Sequence, residues 1–431
     1  MPLIISTWCP TERVNTLETR SDRESSRAPY TTTMTERTPQ SLVGTRVAIL
    51  QPLLPRYRVP VFDLLVRTTG IDLTVICDMH PKGSLKSAPA TNNFRCEQSN
   101  QYRLGPALSQ PAMLSTAMGN RFDAAVFTWN TRILELMPAL LACKATGKGS
   151  VLWGHGYSKR DSPVRRALRR NMLRFADSAL LYGRAERSRL VDVGWDANKI
   201  FVAPNAIEQV SVQNATAAWK SEPDRLRRWQ AERGIIDGKL VVFISRIEAD
   251  KRVDLLLDAF ARLTTRQPDL RLGIIGGGSC LDNVRRKSAE LGIESRTTFT
   301  GPIYDEALVA PWCLSAGCLA YPEAIGLSIY HAFGYGLPVV TSDNISSHNP
   351  EIESLRDGIN GLLYAHRDVD AFARAIERLL NDPRGREGWR KAALDTVHAP
   401  DGYNILSMVN GYADALWHAL SRHPARIRRM P

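Results

Sequence analysis

The sequence predicts an α/β protein with two doubly wound domains that face a cleft. Short apolar runs alternate with helix-length segments from residue 45 onward, which is the pattern of parallel sheets covered by helices. A length of 431 residues is too great for one ordinary core and, at roughly 150 residues per domain, indicates two. In such domains ligands bind beyond the carboxyl ends of the strands, so the loops there are the first place to look for a site.

The first domain is expected to span residues 45–208. Its strand candidates are RVAILQ, IDLTVIC, DAAVFTW, SVLWG, SALLY and KIFVAP. A polar, helix-prone connector over 209–234 leads to a second Rossmann-like set over 235–400. The strand candidates of this set are LVVFIS, LRLGIIG, TTFTG, GCLAY, LPVVTS and NGLLY. A helix over 403–420 is expected to rejoin the first domain.

Both chain ends differ in composition from the two domains. Residues 1–44 are rich in Ser, Thr, Arg and Pro and hold too little apolar surface to fold alone. They are interpreted as a disordered tail or as the product of an over-early start codon. Residues 421–431 carry four arginines and are interpreted as a basic tail.

Composition favours a cytoplasmic protein. The seven cysteines are odd in number and scattered, with no Cys-x-x-Cys pair, which favours reduced thiols over disulfides or a metal site. No apolar run reaches the roughly 18 residues of a membrane span, and the first ten residues do not have the pattern of a secretion signal. The net charge of +12 is concentrated in two short segments, so the basic character belongs to local surfaces.

Two loops after strands of the second domain suit a diphosphate. Ser245-Arg246 ends a strand, and Lys251 follows just before a helical run. Fixed cations at such a loop neutralise a phosphate and the charge that builds on a departing diphosphate. The second loop, Gly276-Gly277-Gly278, follows the next strand and lets a ligand approach the backbone closely. Taken alone, each loop is equally compatible with a solvated basic loop or a tight turn.

The segment YPEAIGLSIYHAFGYGLPVV, residues 321–340, is the most informative. Glu323 comes just past a strand, Gly326, Leu327 and Ser328 open a helix, and His331 lies about one turn inside it. The start of this helix is expected to present N–H groups to a phosphate, with Glu323 and His331 beside it. A lone histidine in a helix is more often structural, but its position here favours a role in binding.

Together these loops resemble the retaining, nucleotide-sugar-dependent glycosyltransferases of family four, which have the GT-B fold. The resemblance is strongest over residues 240–382 and weaker over 45–205. It implies that Arg246 and Lys251 bind the diphosphate, and that Glu323 is the first of the family's two glutamates and contacts the donor sugar. The implied donor-binding set is Ser245, Arg246, Lys251, Gly276, Gly277, Gly278, Glu323, Gly326, Leu327, Ser328 and His331.

His331 is a departure from the family pattern. It stands where family members carry the second glutamate, which holds the nucleotide ribose. An imidazole can still hydrogen-bond a ribose hydroxyl as donor or acceptor. The change leaves two alternatives to a glycosyltransferase open: a GT-B-like sugar-nucleotide epimerase, and a non-catalytic protein that binds a nucleotide sugar.

The resemblance extends to three places in the first domain. His155, in Trp153-Gly154-His155-Gly156, looks like the family's histidine loop near the donor sugar and joins Glu323, Arg246 and Lys251 as a candidate catalytic residue. A structural histidine in a turn is the alternative. Arg56 and Arg58 follow the first strand and are placed on the acceptor side. Asn205 resembles a family position near the domain hinge.

No metal or cofactor is expected. Asp368-Val369-Asp370 looks like the metal-binding Asp-x-Asp of a different glycosyltransferase fold, but it begins a helix and is better explained as an N-cap. The nucleotide sugar, linked to UDP or GDP, is then a substrate. The sequence leaves open which nucleotide, which sugar, which acceptor and which oligomeric state.

A basic helix is predicted after Ser162 and Pro163. Val164, Leu168, Met172 and Phe175 share one face, and the other face carries Arg165, Arg166, Arg169, Arg170 and Arg174. A solvated arginine face is the plain alternative, but the absence of interspersed acids favours an anionic partner. Because no aromatic residues interleave with the arginines, an anionic membrane surface beside a lipid-linked or oligosaccharide acceptor is favoured over nucleic acid. The predicted localisation is the cytoplasm or the inner face of its membrane, and the predicted role is in bacterial surface polysaccharide synthesis.

Overall fold

The structure is a computed structural model that describes residues 42–80, 87–88, 91–157 and 162–423. The predicted tails, 1–44 and 421–431, lie almost entirely outside these ranges. Within them, no helix is both long enough and apolar enough to cross a bilayer.

The first domain is built on a parallel sheet. Its strands are β1 (Arg46–Leu50), β2 (Asp72–Cys77), β3 (Arg95–Gln98), β6 (Ala124–Thr128), β7 (Gly149–Gly154), β8 (Ser178–Leu181) and β9 (Ile200–Val202). Two further strands, β4 (Tyr102–Leu104) and β5 (Ala107–Ser109), form a separate antiparallel hairpin. Its helices are α1 (Val59–Thr69), α2 (Ala112–Met118), α3 (Leu136–Thr146), α4 (Pro163–Phe175) and α5 (Arg184–Asp192). The strand order is β3-β2-β1-β6-β7-β8-β9.

Both faces of this sheet are buried, which explains its continuous apolar strands. Successive side chains of a strand point to opposite faces. Val47 and Ile49 of β1 therefore pack into one core, and Ala48 and Leu50 pack into another.

The second domain repeats this architecture. It contains α6 (Val210–Lys220), α7 (Pro223–Ala231), β10 (Leu240–Ile244), α8 (Val253–Thr264), β11 (Arg271–Ile275), α9 (Leu281–Glu290), β12 (Thr297–Gly301), α10 (Glu306–Ser315), β13 (Cys318–Tyr321), α11 (Ser328–Gly334), β14 (Val339–Ser342), β15 (Gly361–Tyr364), α12 (Val369–Leu380) and α13 (Gly385–His398). Its strands are all parallel, in the order β12-β11-β10-β13-β14-β15. The predicted fold class of two doubly wound domains is confirmed.

The segment predicted as a connector, residues 209–234, forms α6 and α7 and contributes to the second core. Val212, Ala215 and Trp219 of α6 are buried there, and the indole nitrogen of Trp219 donates to the carbonyl of Ala307 at 2.8 Å. These helices therefore belong physically to the second domain.

The last helix, α14 (Ile405–Ser421), packs on the first domain. The ring of Tyr412 lies edge-on to Phe62 and Trp153, with ring centres 6.0 and 5.3 Å away. The chain thus passes from the first domain to the second and back.

The strand order of the second sheet reverses beside β10. Strand β11 lies on one side of β10, and β13, reached after two further helices, lies on the other. A crevice opens at the carboxyl ends of the strands at such a switch point, and it is where ligands of doubly wound sheets bind. The loops after β10 and β13 flank this position.

Candidate donor-binding site

The loops after β10 and β11 are packed backbone to backbone. The amide of Ile247 donates to the carbonyl of Gly277 at 2.9 Å, and the amide of Cys280 donates to the carbonyl of Ile247 at 3.0 Å. A Cβ atom on Gly276 would collide with the carbonyl oxygen of Ser245, and one on Gly278 would collide with that of Ile247. Close approach of the two loops therefore requires glycine at 276 and 278.

Side chains also connect the loop after β10 to the loop after β13. The hydroxyl of Tyr321 donates to Oγ of Ser245 at 2.9 Å, and Oγ of Ser328 donates to the carbonyl of Ile244 at 3.0 Å. The ammonium group of Lys251 donates to the carbonyl of Ala324 at 2.9 Å. The structure thus places Ser245, Lys251 and Ser328 together at the switch point.

The two predicted cations differ in their surroundings. The side chain of Lys251 is only 12% exposed and lies 3.0 Å from Asp250, so its charge is fixed in position. Arg246 is exposed at the start of the same loop. The neighbouring Arg252 forms hydrogen bonds from two of its nitrogens to Asp254, which raises the pKa of Arg252 and commits this guanidinium to the protein. Arg246 is therefore the exposed cation of this loop, whereas the ammonium group of Lys251 has three donors and keeps one beyond those directed at Ala324 and Asp250.

Glu323 is held by the loop after β15. Its Oε1 accepts from Nε of Arg367 at 3.2 Å and lies 3.6 Å from Nδ1 of His366. The residue is only 7% exposed, so the arginine compensates a carboxylate that is largely removed from water. His366 and Arg367 were not predicted as site residues, although they follow the predicted strand NGLLY and their place after it could have marked them.

Unusual backbone conformations concentrate around this carboxylate. Among the described residues, Arg252, Ala324 and Arg367 are the non-glycine residues with positive φ, at 50°, 56° and 63°. Each follows a strand of the second sheet, and Ala324 is the residue whose carbonyl accepts from Lys251. Left-handed non-glycine residues cost free energy and tend to occur where function requires them.

Helix α11 starts beside these loops but is short. Leu327 is its N-cap, and its seven residues make about two turns, so its dipole is weak compared with the fixed cations. Gly326 lies against Asn349, and a Cβ atom at 326 would come within 2.7 Å of the amide nitrogen of that side chain. His331 is one turn along, where Nε2 contacts both carboxylate oxygens of Glu306, at 2.9 and 3.0 Å.

In the first domain, His155 is exposed directly after β7. Its ring centre lies 4.7 Å from that of Tyr182 and 6.1 Å from that of Tyr157. Arg56 is exposed in the loop after β1. Both residues thus follow carboxyl ends of strands in the first sheet.

Arg58 is buried, although the sequence places it on the acceptor side with Arg56. Its guanidinium lies 4.1 Å from the ring centre of Trp153 and donates to the hydroxyl of Tyr182 at 3.1 Å and to Oδ1 of Asn205 at 3.4 Å. The amide of Asn205 in turn donates to Glu351 of the second domain at 2.8 Å. Arg58 is therefore part of a buried polar chain that joins the two domains, and cannot face a membrane.

The basic helix is α4. Ser162 caps it by accepting from the amide of Arg165 at 3.2 Å. The apolar face is only partly buried: Met172 is inside, whereas Val164 is 78% and Leu168 is 38% exposed. The arginines on the exposed surface are Arg165, Arg166, Arg170 and Arg174. Arg169, predicted on the same surface, is buried instead.

Asp368 and Asp370 are both engaged within the protein. Oδ1 of Asp368 accepts from the amide of Ala371 at 2.8 Å and caps α12, as the sequence indicates. Asp370 pairs with Arg262, which lowers the pKa of Asp370.

Comparison with known proteins finds a family match in the second domain. Residues 227–396 match the family described as glycosyl transferases group 1. Solved GT-B glycosyltransferase structures align over most of the chain, among them Anabaena HepE in complex with UDP (TM-score 0.62, 18% identity, 86% of this chain and 99% of HepE) and TarM (TM-score 0.62, 10% identity, 87% of this chain and 99% of TarM). The GT-B fold is thereby shown, and the resemblance to this group of glycosyltransferases is confirmed.

Curated relatives align over part of the chain. A GDP-mannose-dependent alpha-(1-6)-phosphatidylinositol monomannoside mannosyltransferase of Mycolicibacterium smegmatis is 31% identical over 255 residues, which cover 57% of this chain and 64% of the relative. A D-inositol 3-phosphate glycosyltransferase of Nocardia farcinica is 30% identical over 273 residues, which cover 59% and 56%. The aligned segments thus span less than two thirds of either relative.

The packing of the glycine loop gives a matched pair of substitutions. Gly276→Ala should lower the free energy of unfolding by about 1–3 kcal/mol, because its methyl group meets a backbone oxygen of the neighbouring loop. Gly277→Ala should be tolerated, since its methyl group meets only Pro302 Cδ at 3.4 Å. Urea unfolding of the two variants tests this, and equal stabilities would contradict the proposed loop packing.

Proposed function

We propose that this protein is a retaining glycosyltransferase that moves a sugar, most simply a hexose, from a nucleoside-diphosphate sugar to an acceptor. The observation that carries the proposal is the convergence of Lys251, Ser245 and Ser328 at the switch point, next to Glu323, inside the segment that matches the glycosyltransferase family. A charged, polyhydroxylated donor needs cations, hydroxyls and a carboxylate to bind it. The crevice between the strand ends offers all three.

In the proposed transfer reaction, Arg246 and Lys251 stabilise the negative charge that develops on the departing nucleoside diphosphate. Glu323, fixed by Arg367, accepts from a hydroxyl of the donor sugar and orients the ring. The acceptor hydroxyl attacks the anomeric carbon on the face from which the diphosphate leaves and gives its proton to the departing diphosphate oxygen, so the anomeric configuration is kept. His155 approaches the sugar from the first domain. No metal is required, because the two side-chain cations supply the positive charge.

A thermal-shift screen identifies the donor before any acceptor is known. A ligand that binds only the folded state raises the unfolding midpoint. We expect either UDP or GDP, and one of its sugar conjugates, to raise it more than other nucleotides do. The shift should be the same with excess chelator, and a shift that disappears with chelator would contradict a metal-free site. A midpoint that no sugar nucleotide changes would contradict the donor assignment.

Lys251→Ala should reduce turnover far more than it affects folding. The expected loss of about 2–4 kcal/mol in transition-state stabilisation corresponds to roughly 30- to 900-fold in rate. The measurement is release of nucleoside diphosphate from the donor found in the screen, together with the unfolding midpoint of the free variant. Lys391→Ala, which removes a 77% exposed lysine, is the control. Wild-type turnover in Lys251→Ala would remove the assigned role, and isomerised donor in place of transfer would indicate an epimerase.

We further propose that the acceptor is a lipid-linked saccharide at an anionic membrane surface, and that the protein acts in bacterial surface polysaccharide synthesis from the cytoplasmic side. The exposed apolar residues Val164 and Leu168, beside four exposed arginines, suit the interface of an anionic bilayer. Each cation near such a surface adds about 1 kcal/mol. The names of two relatives fit this proposal, since one is a phosphatidylinositol monomannoside mannosyltransferase and another an exopolysaccharide phosphotransferase.

Vesicle flotation tests the membrane proposal. The protein should float with vesicles that contain anionic lipid and stay behind with neutral ones. A triple variant that replaces Arg165, Arg166 and Arg170 by Ala should lose flotation. The charge-matched control replaces Arg225, Arg227 and Arg228 on α7, where two of the three pair with neighbouring acids, and should float like wild type. Equal binding to neutral vesicles, or equal loss in both variants, would contradict the role of α4.

A further inference from the structure

A three-residue cluster lies where α10 begins beside α11. Nε2 of His331 lies 2.9 and 3.0 Å from the two carboxylate oxygens of Glu306. The hydroxyl of Tyr335, one turn further along the chain, donates to Oε2 of the same carboxylate at 2.5 Å. Two side chains from one helical segment thus converge on an acid from another.

The carboxylate of Glu306 is ionised at neutral pH. Burial alone would raise the pKa of Glu306, but hydrogen bonds from His331 and Tyr335 outweigh that effect and hold the pKa below its usual range. An ionised carboxylate has acceptor sites only, about four in all. The three contacts from His331 and Tyr335 occupy about three of them, and the side chain remains 25% exposed. Glu306 can therefore still accept from a hydroxyl group that reaches it from solvent.

The cluster adjoins the loops of the candidate donor site on two sides. Glu306 comes four residues after Pro302, which packs against Gly277, and the amide of Gly276 donates to the carbonyl of Gly301 at 2.9 Å. On the other side, His331 lies one turn, about 5 Å, from the start of α11 at the switch point. The group next to the phosphates in a nucleotide is the ribose, so the ribose is the part of a donor that a cluster beside these loops would meet.

The chain also lacks a carboxylate at position 331, where the resembling family has a glutamate. In this structure the carboxylate beside the start of α11 comes from Glu306 of α10, and His331 contacts it. Glu306 thus supplies the carboxylate that residue 331 lacks.

We propose that Glu306 binds a ribose hydroxyl of the nucleoside diphosphate, and that His331 and Tyr335 are positioning residues that hold its carboxylate for this purpose. The proposal rests on the proposed function, because it assumes that the second domain binds a nucleotide sugar. A ribose hydroxyl is a donor, and a charge-assisted hydrogen bond from it to a carboxylate is stronger than a neutral one.

Calorimetry with ribose-modified nucleotides tests Glu306. UDP and GDP are compared with their 2′,3′-dideoxy analogues, which keep the base and both phosphates. The wild type should bind the better of UDP and GDP about tenfold or more tightly than its dideoxy analogue. Glu306→Gln should lose most of this preference, while Glu290→Gln, an exposed glutamate on α9, should keep it. A full preference in Glu306→Gln overturns the proposal, and no binding of UDP or GDP by the wild type overturns the donor site itself.

Exchange of the two residues tests the positioning role. His331→Glu alone places a second carboxylate about 3 Å from Glu306 and should weaken nucleotide binding by repulsion. The double variant Glu306→His, His331→Glu restores one carboxylate and one imidazole and should recover the preference for ribose over dideoxyribose. Unfolding midpoints monitor folding in each case. A double variant that folds but shows no preference would overturn the exchange.

Discussion

The close backbone contact between the loops after β10 and β11 is the feature on which the candidate site depends. It requires glycine at 276 and 278, and it fixes Ser245, which accepts from Tyr321 across the switch point. Lys251 then reaches the carbonyl of Ala324 and joins the first loop to the third. Since each loop is held by the next, Lys251, the two serine hydroxyls and Glu323 occupy fixed positions, which is the preorganisation that electrostatic catalysis needs.

A second constraint couples the two domains. Arg58 and Asn205 of the first domain reach Glu351 of the second, and Glu353, two residues further on, accepts from the amide of Arg184 at the start of α5 at 3.0 Å. Glu351 is buried, and burial raises its pKa. The first residues of α5 have no side-chain cap of their own, so the second domain supplies one. These contacts fix the first domain, which carries His155, against the second.

Local patterns predict the fold because most strands are buried on both faces. All twelve strands expected from apolar runs are present, whereas β3, β4 and β5 were missed because none of their residues is buried. Local sequence patterns likewise predict only part of the candidate site. Glycines, cations and Glu323 could be found from their place after strands, but Glu306 meets His331 only through packing of residues 25 apart. Arg58 and Arg169 were misplaced because burial of an arginine depends on partners distant in sequence.

The central claim is that the second domain binds a pyrophosphate bridge through Arg246, Lys251 and the glycine loop. Calorimetric comparison of nucleoside diphosphates with the corresponding monophosphates tests it most directly, because base and ribose are unchanged and one phosphate is removed. UDP or GDP should bind about tenfold or more tightly than its monophosphate, with most of the difference lost in Lys251→Ala. Equal affinity for diphosphate and monophosphate, or no heat with either, would contradict the account.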